Sequence, residues 1–140
     1  MNTEYDDIDN LEIVKIRLTN SPWLIACLCA AWCDTCQSYR KAFEALRSQH
    51  PNKTFAWIDI EDHSDLVDEL DIENFPTILI QYEDTVFFLG TMLPDANLVN
   101  RLLTSLEETL ATRGKDQISP SIQDPSPPST WSLRRNLLNM

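Results

Sequence analysis

The sequence has no lysine or arginine between Lys53 and Arg101, although eleven acidic residues lie in that segment. The remaining residues hold eleven acids and eleven bases, so this segment accounts for the whole net charge of −11. A field of one sign repels phosphate backbones, which argues against nucleic-acid binding and favours neutral or basic partners. The alternative, that the acidity only keeps the protein in solution, stays open at this point.

Long apolar runs are missing as well. No stretch of about 18 apolar residues occurs, so we expect neither a membrane span nor a membrane partner. The sequence start, MNTEYDDIDNLEIVKIRL, is acidic and lacks the apolar run of a signal peptide. We therefore expect a cytoplasmic protein. In a reducing cytoplasm, neighbouring cysteines are more often catalytic or metal-binding than structural.

The length of 140 residues and the hydrophobic content of 43% suit one domain with a core of its own. We predict a folded domain of residues 1–113 and a tail of residues 114–140. The tail begins with prolines among serines, in GKDQISPSIQDPSPPST, which predicts an extended or disordered linker. Its short apolar end, WSLRRNLLNM, is expected to fray rather than to dock on the domain.

The hydrophobic pattern changes period several times along the domain. Helical spacing occurs at Leu11, Val14 and Leu18, again from Cys33 to His50, in SDLVDEL, and in a last helix capped by Asp95. Strand patterns occur in PWLIACLCA, TFAWIDIE, PTILIQY and DTVFFLG, of which the last two are close enough for an antiparallel hairpin. The order α-β-α-β-α-β-β-α predicts an α/β sandwich.

All four cysteines lie within ten positions. Cys33 and Cys36 fall where the buried strand ends and the helix begins. The helix N-terminus stabilises a thiolate, so we expect Cys33 to be the exposed nucleophile and Cys36 to resolve a mixed disulfide. Cys27 and Cys29 are two apart on the strand and point to one face.

A zinc or iron–sulfur site is the alternative use of four clustered cysteines. The strand direction argues against it, because Cys27 and Cys29 are expected to lie away from the helix end. Cys27 is interpreted as a small buried apolar residue. Cys29 lies nearer the cysteine pair, and an alternative disulfide at Cys29 stays open. We expect no metal.

Three segments resemble the thioredoxin family, in the right order and with suitable spacing. AAWCDTC resembles the WC-x-x-C active site, ENFPTILI the cis-proline segment, and FLGTMLPDANLVNRLL the closing strand, glycine and last helix. The resemblance runs from about residue 22 to residue 110. It implies a thioredoxin-like three-layer α/β/α sandwich, with a mixed sheet of four to five strands, a C-terminal antiparallel hairpin and a final helix.

The resemblance also implies a function. Cys33 would attack a substrate disulfide and Cys36 would release the product, so a redox-active disulfide between them would replace any cofactor. Trp32, Phe75, Pro76 and Gly90 would form the substrate-binding surface, with a cis peptide bond before Pro76. The expected activity is that of a thiol–disulfide oxidoreductase which reduces or exchanges protein disulfides.

The sequence departs from the family pattern around the cysteines. Asp34 and Thr35 stand between them in place of glycine and proline. Cys27 replaces a buried acid, Cys29 replaces a tryptophan, and Trp57 stands where a lysine is usual. We expect Asp34, Thr35, Cys27 and Cys29 to tune the chemistry of the site. The expected partners are protein disulfides and a reductase, and a monomer is favoured. The alternative function is an interaction or assembly module with little turnover.

Overall fold

The computed structural model describes residues 8–68, 70, 72, 75–91, 96–122 and 131–140. The helices are α1 (Leu11–Leu18), α2 (Asp34–Gln49), α3 (Ser64–Val67), α4 (Ala96–Arg113) and α5 (Leu133–Leu138). The strands are β1 (Trp23–Cys29), β2 (Thr54–Asp59), β3 (Thr77–Tyr82), β4 (Thr85–Thr91) and β5 (Ser121–Ile122). The predicted cap at Asp95 lies outside the described residues. Within the described ranges, no helix is long and apolar enough to cross a membrane.

The five strands form one mixed sheet in the order β2-β1-β3-β4-β5. Strand β1 runs parallel to β2 and antiparallel to β3, and β3 forms the predicted antiparallel hairpin with β4. Every residue of β1 is buried. A strand that is covered on both faces carries apolar residues at nearly every position, which explains the sequence WLIACLC.

Side chains of β1 alternate between two hydrophobic layers. Ile25, Cys27 and Cys29 pack in the cluster that contains the buried faces of α2 and α4. Leu24 and Leu28 point the other way, into the cluster formed with α1, α3 and α5. Because successive strand residues face opposite sides of a sheet, each layer receives every second residue. Helices cover both faces, so the structure confirms the predicted three-layer α/β/α sandwich.

The chain end packs against the domain. Trp131, Leu133 and Leu137 are at most 5% exposed and belong to the same cluster as the apolar faces of α1 and α3. The expectation that this end frays is therefore wrong for residues 131–140. These side chains remove apolar surface from water, which stabilises the docked position. The division of the chain at residues 113 and 114 stays a prediction.

Polar contacts hold the docked end in register. The Gln81 side-chain amide donates to the Ser132 hydroxyl at 2.6 Å and accepts from the Arg134 backbone N–H at 3.1 Å. The Arg134 guanidinium donates to the backbone oxygens of Leu18 and Ser21 at 3.1 and 3.3 Å. Gln81 is fully buried, so its amide would lose hydrogen bonds if the chain end left. Residues 131–140 therefore form part of the folded structure.

The first prediction tests this docking. Trp131→Ala is expected to lower the free energy of unfolding by about 3 kcal/mol, because it removes a large buried aromatic side chain. Urea unfolding followed by circular dichroism measures the change. The control is Arg135→Ala, an exposed position on α5 whose ion pair with Asp84 spans 3.8 Å, and it should stay within about 0.5 kcal/mol of the parent. Equal stability of Trp131→Ala and the parent would contradict docking.

Candidate active site

Cys33 lies at the junction of β1, an interior strand of the sheet, and the second helix. Strand β1 ends at Cys29, α2 begins at Asp34, and Cys33 is the N-cap of α2 with extended backbone angles. The Cys33 N–H donates to the Ala30 carbonyl at 3.0 Å, and the Cys33 carbonyl accepts from the Gln37 N–H at 3.2 Å. This tight turn places Cys33 at the positive end of the helix dipole, where a thiolate is stabilised.

Cys33 and Cys36 differ in exposure. Cys36 lies in the first turn of α2 and is fully buried, whereas Cys33 is partly exposed and packs against the edge of the same hydrophobic cluster. Each of the four cysteines is a free thiol in the structure. An outer sulfur that solvent reaches and an inner sulfur one turn away is the arrangement that the spacing predicted.

Cys27 and Cys29 are not held away from the helix end, which corrects the expectation from the strand direction. The two sulfur atoms are 3.2 Å apart, and the Cys29 thiol also hydrogen bonds with the Cys36 thiol. The expectation was wrong because the face of β1 that carries Cys27 and Cys29 is the face on which α2 packs. Among the residues that the structure describes, no group of three or more His, Cys, Asp or Glu is arranged to hold a metal ion.

The environment keeps the inner sulfurs protonated near neutral pH. Burial raises the pKa of the Cys36 thiol well above its ordinary value, and the hydrogen bond with Cys29 raises it further. A hydrogen bond with the Ala30 backbone acts in the opposite direction. For Cys29, the hydrogen bond with Cys27 raises the pKa of the thiol most, followed by burial. Cys36 must therefore lose a proton before it can act as a nucleophile.

The segment around Pro76 lies beside the motif. The peptide bond between Phe75 and Pro76 is cis, which is the isomer that the family resemblance implies. Trp32 is 65% exposed, and its ring meets that of Phe75 edge-on, with 5.4 Å between the centroids. Thr77, the next residue, pairs with Leu28 in the sheet. The segment therefore enters β3 at the edge of the sheet where β1 ends.

The remaining predicted site residues lie around this edge. Gly90 is buried on β4 opposite Ile78, one strand further from the cysteines. Asp34 and Thr35 are exposed in the first turn of α2. The structure thus brings the four cysteines together in one group. It brings Trp32 and Phe75 together in a second group. The roles assigned to all these residues stay predictions.

Two contacts of the site were missed by sequence reasoning. The hydrogen bond between Cys36 and the Ala30 backbone left no signal, because a backbone group does not depend on residue type. Trp57 pairs with Cys27 across the parallel strands, and the Arg40 guanidinium lies 5.0 Å from the centre of the Trp57 ring. This cation–π contact covers Trp57, which stands at the position where the family usually has a lysine.

The fold and the paired cysteines define a protein of the thioredoxin fold. The profile of the thioredoxin family matches residues 9–102, which is more than half of the chain, so the chain belongs to the thioredoxin family. The mouse (Mus musculus) thioredoxin domain-containing protein 8 is 33% identical over 48 residues. That match covers 34% of this chain and 38% of the mouse protein, so it spans less than half of either.

Solved structures support the fold. Oxidised mitochondrial thioredoxin 3 from Saccharomyces cerevisiae superposes with a TM-score of 0.59 at 16% identity, over 73% of this chain and 98% of that one. A mutant thioredoxin from Halobacterium salinarum gives a TM-score of 0.55 at 23% identity, over 75% of this chain and 84% of that one. At these identities the likeness concerns the fold alone.

The second prediction follows from the raised pKa of Cys36. Its thiolate is a minor species at neutral pH, and the thiolate fraction grows as the pH rises toward the pKa. The release of a substrate from a mixed disulfide on Cys33 should therefore speed up by about tenfold per pH unit between about pH 7 and pH 9. Rapid mixing with a preformed mixed disulfide measures the rate. Cys36→Ser is the control without release, and a rate that is independent of pH would contradict the prediction.

Proposed function

We propose that this protein is a thiol–disulfide oxidoreductase that reduces or exchanges disulfide bonds of other proteins through the Cys33 and Cys36 dithiol. One observation carries the proposal: a partly exposed cysteine caps a helix, and a fully buried cysteine lies in the first turn of the same helix. The outer sulfur can reach a disulfide on another protein. The inner sulfur is withheld from solvent and lies one turn away on the same helix.

The reaction proceeds in two exchange steps. The Cys33 thiolate attacks one sulfur of the substrate disulfide, which forms a mixed disulfide and frees one substrate thiolate. Cys36 then loses its proton and attacks the Cys33 sulfur, which breaks the mixed disulfide and frees the second substrate thiol. The pair ends as a Cys33–Cys36 disulfide and the substrate has gained two electrons. The pair stores these electrons itself, so we propose no bound cofactor.

The substrate meets the aromatic edge of the site. We propose that the exposed Trp32 ring and the Phe75 ring, which meet edge-on, form an apolar platform beside Cys33. Pro76, directly before β3, and Gly90, near the end of β4, would bound this surface on the side of the sheet. An extended segment with a disulfide could lie across this platform with its sulfur above Cys33. Asp34 and Thr35 would contact the part of the substrate above α2.

We infer the partners and the compartment of the protein from its net charge and from its redox chemistry. Turnover needs a reductant for the Cys33–Cys36 disulfide, and we propose a reductase for this step. We also propose that the protein acts as a monomer in the cytoplasm, where such a reductant maintains free thiols. Protein disulfides are the substrates, and nucleic acids and membranes are not proposed as partners.

Acidic residues lie at the edge of the sheet where the cysteines are. Strands β1 and β2 are parallel and pair Cys29 with Asp59, so the exposed Glu61 and Asp62 follow β2 at this same edge. Glu83 and Asp84 lie at the opposite edge, in the hairpin turn. We propose that the acids at the cysteine edge steer basic protein substrates to Cys33.

The third prediction tests the two cysteine roles. Cys33→Ser should abolish the reduction of insulin disulfides by dithiothreitol, because the outer nucleophile is lost. Cys36→Ser should trap a stable mixed disulfide on Cys33, visible by mass spectrometry. Ser38→Ala, an exposed change on α2, serves as the control with parent activity. A parent protein that binds insulin without reducing it would favour the interaction module instead.

The fourth prediction tests the steering. Raising the ionic strength should slow the reduction of a basic disulfide protein several-fold more than that of a neutral one, because salt screens association between charged bodies. Glu61→Gln combined with Asp62→Asn should weaken this salt dependence. The matched pair Glu83→Gln and Asp84→Asn, at the opposite edge, should leave it intact. Equal salt dependence for both substrates would leave the acidic residues as a solubility feature.

A further inference from the structure

Three cysteines form a buried row of sulfur atoms behind the exposed one. Cys27, Cys29 and Cys36 are at most 2% exposed and share one hydrophobic cluster. The Cys29 sulfur lies 3.2 Å from that of Cys27, and Cys29 also lies within hydrogen-bonding reach of the Cys36 thiol in the same cluster. Cys36 in turn hydrogen bonds with Cys33. Cys36 therefore has two thiol neighbours, Cys33 toward solvent and Cys29 toward the core.

The proposed function uses only one of these neighbours. Thiols in hydrogen-bond contact need only a small side-chain rotation to reach bonding distance, provided that their backbone positions suit a disulfide. Cys29 ends β1 and Cys36 lies in the first turn of the helix that follows, so the two residues belong to adjoining, well-packed elements. Cys29 is therefore placed to compete with Cys33 for the sulfur atom of Cys36.

We propose that Cys29 is a third redox cysteine, which takes Cys36 from Cys33 and converts the active-site disulfide into a buried Cys29–Cys36 disulfide. The proposal rests on the proposed function, because that reaction supplies the Cys33–Cys36 disulfide. The Cys29 thiolate attacks the Cys36 sulfur, the bond between Cys36 and Cys33 breaks, and Cys33 leaves as a thiolate. The proton that Cys29 loses is balanced by the one that Cys33 gains. One disulfide exists before and after, so no further oxidant or reductant is needed.

The exchange changes what the oxidised protein can do. With Cys36 bound to Cys29, Cys33 is again a free thiol at the protein surface. It can attack a second protein disulfide and form a mixed disulfide, but Cys36 is no longer available to resolve it. The protein then holds its partner covalently until the Cys29–Cys36 disulfide is reduced. In this state the protein captures disulfide-containing proteins and does not turn them over.

Cys27 holds Cys29 in place without taking part in the exchange. The 3.2 Å contact directs the Cys29 thiol, and the hydrogen bond with Cys27, followed by burial, raises the pKa of Cys29. The Cys29 thiolate is therefore scarce at neutral pH, and the exchange is slow compared with an attack by the exposed Cys33. Product release through Cys36 comes first and the internal exchange follows.

The experiment locates the disulfide in the oxidised protein. The full chain is oxidised with one equivalent of diamide, free thiols are blocked with N-ethylmaleimide, and peptides are mapped by mass spectrometry. We expect molecules with an alkylated Cys33 and a Cys29–Cys36 disulfide, in an amount that grows with incubation time and with pH. Oxidised protein that shows only the Cys33–Cys36 bond at all times and pH values would overturn the proposal.

Matched variants assign the effect to Cys29. In Cys29→Ala, alkylation of Cys33 in the oxidised protein should fall to background, whereas Ile25→Val, a buried change on the same face of β1, should retain it. Circular dichroism checks that both variants fold, and Cys29→Ser replaces Cys29→Ala if the smaller side chain unfolds the protein. Retained alkylation of Cys33 in a folded Cys29 variant would overturn the proposal.

Cys33→Ser separates this inference from the proposed function. This variant lacks the attacking cysteine, so insulin reduction is lost, yet diamide should still join Cys29 to Cys36. Absence of that bond overturns the inference and leaves the oxidoreductase proposal intact. If the parent protein does not reduce insulin although Cys29 and Cys36 pair, the proposed function fails while the buried disulfide itself is supported.

Discussion

The parallel pairing of β1 with β2 is the constraint on which the site depends. Parallel neighbours cannot be joined by a tight turn, so the chain must cross over through a helix, and α2 is that helix. The crossover starts at the carboxyl end of β1, which places the first turn of α2 above that end of the strand. Cys33 and Cys36 occupy this turn, and Cys27 and Cys29 occupy the strand below it. The same connection therefore creates the helix N-terminus and brings the four sulfur atoms together.

Burial separates the partly exposed Cys33 thiol from the buried thiols behind it. The family's buried acid is replaced by Cys27, so the region behind Cys36 contains thiols, which are weakly polar and suit an apolar core. An ionised carboxylate at this position would need compensation for its lost hydration. The neutral interior removes that cost, but it also removes the base that could take the proton of Cys36. Burial, followed by the hydrogen bond with Cys29, raises the pKa of the Cys36 thiol in this interior.

The sequence allowed the order of elements, the buried strand β1 and the exposed and buried positions of Cys33 and Cys36 to be predicted, because each depends on local periodicity and spacing. The contact between Cys29 and Cys36 could not be predicted. Strand alternation gives the face of a residue, but the position of α2 over that face depends on packing throughout the layer. The docking of α5 was missed for a similar reason. Two helical turns carry little periodic signal, and Trp131 is buried only because the other elements leave an apolar surface for it.

Two opposing effects, electrostatics and close packing, decide where the disulfide lies in the oxidised protein. A disulfide is uncharged, so it can lie between Cys29 and Cys36 in the core without the desolvation cost of a thiolate. The sulfur that is left over should then be the one in contact with water and with the helix N-terminus, which is Cys33. Electrostatics thus favours the inner disulfide. The rotation that Cys29 and Cys36 need within a close-packed layer opposes it, because interiors at this density resist displacement. Cys27, in contact with Cys29 at 3.2 Å, limits that rotation and so sets how readily the inner bond forms.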